Sequence, residues 1–317
     1  MILPGRRTAA AFLCSASLAA AGDTSGPRGG APTLPELENA TYSGLEEPKG
    51  PVTLKDGRWE GAPLVPGGAS RPTVTLGRDF RVVGDLDGDG AAEVVVVLAA
   101  SSGGSGTFDY LAVVKRTAKG LENVATAPLG NRVRIRSAGV ENGKLLVGVL
   151  QAGPGDAMCC PGELADLEWT LAGGKLTPGT PAGATKRLSL DTLAGSEWVL
   201  RAWDLDDPAP GDVEVTLAYA PGSFAGGSGC NRYRTPVTAG EAPGAVIVSP
   251  LAVVTRMACP ERQSAVEARF LKQLRGVKTF GFLLGQLAVT YEQDGRRGTM
   301  LFDGRAPSVG TPTFPHR

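Results

Sequence analysis

Phe224-Ala225-Gly226-Gly227-Ser228-Gly229-Cys230-Asn231-Arg232-Tyr233 and, further along, Thr255-Arg256-Met257-Ala258-Cys259-Pro260 are the two stretches on which the reading of the fold turns. The first is a strand running into a glycine-dense turn. Its glycines let the backbone take positive φ and let two backbones approach closely. Asn231 tolerates a left-handed turn and can hydrogen-bond local backbone. The second stretch leads into a helix: Pro260 suits the first helical position and Glu261 the positive N-terminal end. Val266, Phe270, Leu271, Leu274 and Val277 then fall at helical spacing, with Glu267, Arg269, Lys272 and Arg275 mostly on the other side. Gly276 is the expected C-cap. A single amphipathic helix of this kind packs on a sheet or plugs a barrel.

Outward from these stretches the chain reads as strands. Its 317 residues include 45 glycines and 24 prolines with few aromatics, a mix that favours short strands and turns over long helices. Strand patterns fall at 72–76, 78–84, 93–100, 110–116, 132–138, 144–151 and 167–171, with Glu141-Asn142-Gly143 as a hairpin turn. The expected fold is mainly β, a β-rich α+β arrangement of two β domains. A β-rich domain over 51–172 is followed by a linker at 173–192 and a second domain at 193–303. Gly/Pro-rich flanks at 22–50 and 304–317 read as a flexible tether and tail. Arg132, Arg134 and Arg136 alternate on one strand face, a pattern that blunts sheet edges.

The chain opens like an export signal over 1–21: Arg6 and Arg7, a small apolar stretch, then Ala19-Ala20-Ala21 as a cleavage site. The residues before Gly22 are similar to a lipoprotein signal whose cysteine has become Ala21, so periplasmic residence or secretion is expected over a lipid anchor. No stretch is long and apolar enough to span a bilayer as a helix. With the leader removed, Cys159, Cys160, Cys230 and Cys259 remain, an even count that reads as disulfides in an exported chain and leaves the pairing open. Lys plus Arg and Asp plus Glu are 32 each, so no basic excess points to nucleic acid. His316, near the C-terminal end, is the one histidine, which removes Ser-His and Cys-His nucleophile systems and His-ligated zinc.

The order Gly195-Ser196-Glu197-Trp198, the G-C-N-R-Y block at 229–233, the T-R-M-A-C-P block, the helix, and Leu287-Ala288-Val289 with Leu301-Phe302 resembles the META domain (HslJ-like) family over about 193–303. The resemblance implies a small curved sheet or barrel carrying one helix. It also implies a protein without established enzymatic activity, linked to stress tolerance. Within it, a Cys230–Cys259 bridge would tie the turn to the helix start. Asn231, Arg232, Thr255 and Arg256 form a candidate binding surface, or else knit the turn to the helix.

The sharpest motif in the first domain is Asp85-Leu86-Asp87-Gly88-Asp89-Gly90-Ala91-Ala92-Glu93. Oxygens at loop positions one, three and five, a glycine at six and a carboxylate at nine suit a hard cation of Ca²⁺ size. Packed aspartates repel one another unless a cation intervenes. Strand patterns flank the loop, so it resembles the calcium loops of FG-GAP-type β-repeats more than an EF-hand. The expectation is a structural Ca²⁺ held by Asp85, Asp87, Asp89 and Glu93; the alternative is a solvated Asp-Gly turn. The function expected is that of a non-catalytic, exported envelope protein, a binding or stress-protection factor for an envelope component. A carboxylate-dependent hydrolase acting on envelope glycans is the competing reading.

Overall fold

The computed structural model describes residues 30–305 apart from 105, 158, 159, 180 and 182. The expected leader, Cys159 and all but the start of the expected tail lie outside the described residues.

The valine run is the key to the first half. Strand Glu93–Ser101 sits inside an antiparallel sheet ordered Arg58–Glu60, Thr73–Leu76, Glu93–Ser101, Phe108–Thr117, Gly120–Asn131, with Val82–Gly84 pairing its first residues on the same side as Thr73–Leu76. Its residues are apolar at consecutive positions because both faces are covered. Val95 and Val97, with Leu111 and Val113, face a second sheet through Leu145, Val147, Val149 and Trp169. Val94, Val96 and Leu98, with Tyr110 and Val114, face Leu37, Tyr42, Val52 and Leu54. The second sheet runs Lys175–Pro178, Glu163–Ala172, Lys144–Gln151, Arg134–Glu141. The turn at Asn142 (φ 51°) and Gly143 (φ 73°) takes the left-handed conformation its sequence foretells. Arg134–Glu141 is an edge strand and carries Arg134 and Arg136, whereas Arg132 does not alternate with them: it lies in the preceding bend with φ of 54°.

Several expectations need correction. From residue 30 onward the expected tether is a packed layer: helix Leu34–Leu37 and strand Thr41–Tyr42 cover the sheet, and the Tyr42 hydroxyl donates to the Leu37 carbonyl at 2.9 Å. Polar residues fasten its start. The Thr33 hydroxyl and amide, then Arg116, hold the Glu36 carboxyl down to about 2. The expected linker at 173–192 begins as a hairpin into Lys175–Pro178. It continues through Lys186–Arg187, paired with Glu163–Ala172, and buries Leu188 and Leu190. Strand Gly120–Asn131 escapes the sequence pattern because Pro128 and Asn123 interrupt it. The ladder tolerates them through register shifts, and the Asn123 amide donates to the carbonyls of Val113 and Ala125 at 3.1 and 3.0 Å.

The second half is an antiparallel ten-stranded sheet curled into a nearly closed barrel. Val246–Val248 at one end meets Val277–Leu283 at the other through the Phe280 amide, which donates to the Gly244 carbonyl at 2.8 Å. Helix Glu261–Arg275 plugs it with Val266, Phe270 and Leu274, and the Phe270 ring stands edge-on to Tyr233 with centroids 5.2 Å apart. Pro260 is the residue before the first turn, not the first helical residue. The last strand, Arg296–Arg305, runs past the expected tail boundary because Arg305 is held by Glu197 and Glu214. The hairpin tip Leu284–Gly285 reaches out of the barrel: Leu284 joins the sandwich core, and the Gly285 amide donates to the Ile135 carbonyl at 2.9 Å.

Candidate functional site

The glycine-dense turn and the start of the helix meet at one place in the barrel wall. Close approach explains the glycines: a Cβ at Gly226 would lie 2.2 Å from the Thr216 carbonyl oxygen, and Gly229 has φ of 101° with Val266 behind it. Asn231, buried, is bonded on both edges of its amide. Its Oδ1 accepts from the Met257 amide at 2.8 Å and the Thr255 hydroxyl at 2.9 Å, and its Nδ2 donates to Glu267 Oε1 at 3.1 Å. Glu267 Oε2 accepts the Asn231 amide at 2.9 Å and the hydroxyl of fully buried Ser228. Three segments are thus fixed by one asparagine and one glutamate.

Glu267 is the residue that sequence reasoning missed, having been placed on the helix's solvent side. It is half-buried, and the signal available was its position one residue past Val266, at the rim of the apolar stripe. The Cys230–Cys259 disulfide, with Cα atoms 6.0 Å apart, clamps the same junction from outside and closes a 29-residue separation. Of the four expected surface residues, Asn231 and Thr255 are thus engaged in joining segments, whereas Arg232 and Arg256 are exposed. Beside them opens a groove of about 640 Å³ lined by Val253, Val254, Thr255, Met257, Glu267 and Leu271.

Residues 191–302 match the model of the META domain family. The META segment therefore contains the G-C-N-R-Y turn, its disulfide, the helix and the closing strands. No curated protein matches the chain.

The acidic loop lies away from that junction, in the sandwich, between strands Val82–Gly84 and Glu93–Ser101. Asp85, Asp87 and Asp89 bring one carboxylate oxygen each within 4.8 Å of one another. Much of their bonding is turned onto the loop's own backbone: Asp85 accepts the amides of Gly88 and Gly90 at 2.7 and 3.0 Å, and Asp89 that of Ala91 at 2.8 Å. The loop meets a cation that the sequence pattern did not foretell. Lys115, from the neighbouring strand Phe108–Thr117, places its ammonium 2.7 Å from Asp87 Oδ2 and against Asp89 Oδ2. Glu93 is fully buried; its Oε2 accepts the Leu86 amide at 2.8 Å, and its Oε1 lies 3.1 Å from Lys115 Nζ as an ion pair without an aligned hydrogen bond. Burial pulls the Lys115 pKa down, and the hydrogen bonds to Asp87 and Asp89 with the charge of Glu93 outweigh that and raise it above the usual lysine range. The Lys115 hydrogen bond in turn lowers Asp89. The structure unites the three aspartates but ties Glu93 to them through a lysine. Cys160 is exposed. Among the described residues no helix is long and apolar enough to cross a membrane.

Proposed function

We propose that the protein is an exported, non-catalytic binding or stress-protection factor of the cell envelope, working through its META segment. The observation that carries this reading is the commitment of its conspicuous polar side chains to internal bonds. Asn231 and Glu267 join three segments, and Asp87, Asp89 and Glu93 are offset by Lys115. Groups consumed in this way hold a scaffold; a catalytic pair instead faces a substrate across a cleft. The leader-like start and the disulfide support an oxidising, extracytoplasmic compartment. The test is a turnover screen of the mature chain against peptidoglycan and polysaccharides beside an Asp87→Ala variant. No specific turnover is expected, and turnover that the variant loses would overturn the reading in favour of the hydrolase.

Calcium belongs to the same proposal as a structural supplement. The oxygens of Asp85, Asp87 and Asp89 are the right donors for a hard cation, and Lys115 already supplies positive charge there. Calcium would therefore have to displace the ammonium from two of the three carboxylates, and its stabilising effect should grow when that ammonium is removed.

A further inference from the structure

The short strand Val253–Val254 is a sheet edge. It pairs with Arg232–Ala239 through Tyr233 opposite Val254 and Arg234 opposite Val253, and among the described residues no strand lies on its other side. The Thr255 amide donates to the Arg232 carbonyl at 3.0 Å, which makes Arg232 and Thr255 a hydrogen-bonded pair. By the alternation of an antiparallel ladder, Val254 is then in the non-bonded register, so its N–H and C=O point away from the sheet, toward the groove between this edge and the helix. Side-chain burial agrees. Val254 packs against the barrel core, as Tyr233 does, while Val253 points out and is 78% exposed.

Around that edge the surface is apolar and basic at once. Leu251 is 79% and Met257 62% exposed, so with Val253 they form an aliphatic patch along the strand. Arg232 and Arg256 are exposed and, among the described residues, carry no ion pair. Glu267, the carboxylate that lines the groove, already accepts from Asn231 and Ser228. Free backbone groups, aliphatic side chains and guanidinium groups around one strand edge are complementary to an extended chain that alternates acidic and aliphatic residues. A lipid surface fits less well, because hydrocarbon would leave the Val254 amide and carbonyl without partners.

We propose that the Val253–Val254 edge, with Arg232 and Arg256, binds an extended acidic-aliphatic polypeptide segment by strand addition. This rests on the binding-module reading and names the surface and the chemistry of its partner. The probe is a fluorescein-labelled octapeptide alternating glutamate with valine and leucine, followed by anisotropy against the full mature chain. Saturable binding is expected. It should weaken about tenfold or more with the lysine-for-glutamate peptide and with the Arg232→Glu/Arg256→Glu chain. It should weaken similarly when alternate peptide nitrogens facing the edge are methylated, a change that leaves the protein untouched. Equal binding by the double variant, indifference to methylation, or no saturable binding would overturn the proposal. So would arginine-dependent sedimentation with phosphatidylglycerol vesicles in place of peptide binding, which would make the patch a lipid surface. If the double variant retains the same envelope proteins on a column as the unaltered chain, the surface is wrong and the binding-module reading stands. Specific turnover in the glycan screen removes that reading by itself.

Discussion

Lys115 supplies the charge that the acidic loop needs, from a strand whose own sequence gave no hint of it. Its side chain is 14% exposed, Glu93 beneath it not at all. Removing the ammonium therefore leaves a buried carboxylate beside two others. Lys115→Met should lower the unfolding free energy in urea by about 3 kcal/mol, the scale expected when one partner of a buried pair is lost. In the same variant, added Ca²⁺ should raise the melting temperature more than in the unaltered chain, with EDTA reversing the gain. Equal responses in the two chains would remove calcium from the loop. Asp109 carries a separate pH effect. Burial pushes its carboxyl up to about 6, against an opposing backbone hydrogen bond from Val133. The unfolded chain loses that proton near the ordinary aspartate value, so its contribution is most favourable below that value and is lost as pH rises through about 6. Asp109→Asn should thus be more stable than the parent at pH 8 and flatten the stability profile between acid and neutral pH, as chemical denaturation across that range would show. The loop's oxygens were legible in the sequence because their spacing is local. Lys115 was not, because a cross-strand neighbour becomes visible only once the register of two strands is known.

At the scale of elements the same distinction decides what could be read. The helix was visible because its stripe of Val266, Phe270 and Leu274 repeats at its own period. Strand Glu93–Ser101 was visible because burial on both faces makes it apolar throughout. Strand Gly120–Asn131 was hidden: an asparagine and a proline sit in it, excused by bulges that depend on its partner. The packed layer at 30–54 was hidden likewise, since its short elements carry too little pattern of their own and are ordered by the sheet they cover. Glu267 belongs to this scale, because it joins helix, turn and edge strand. Glu267→Gln replaces one acceptor oxygen by a donor facing either the Asn231 amide nitrogen or its backbone N–H. The expected cost is about 2 kcal/mol in thermal or chemical unfolding with the disulfide intact, since hydrogen bonds to a charged group are the stronger kind. A change near zero would mean that the disulfide alone holds the junction.

Across the whole molecule the sandwich and the barrel are one packed body, a point the expected linker concealed. Leu284, with φ of 49° at the hairpin tip, enters the sandwich core, and Leu150 and Leu188, outside the META match, are part of the barrel core. Leu284→Ala should cost about 2 kcal/mol, at the low end for a truncated core leucine because this one is half-buried. Calorimetry should then show one transition for the parent and a broadened or split one for the variant, whereas identical traces would mean that the tip carries no coupling.

The family match begins at residue 191, but the core of the barrel draws on residues before it. A fragment started at that boundary would lack Leu150 and Leu188 and leave greasy surface on its outside, so it should self-associate where the intact polypeptide stays dispersed. What looks like a portable module in the linear sequence is therefore cut from a shared interior.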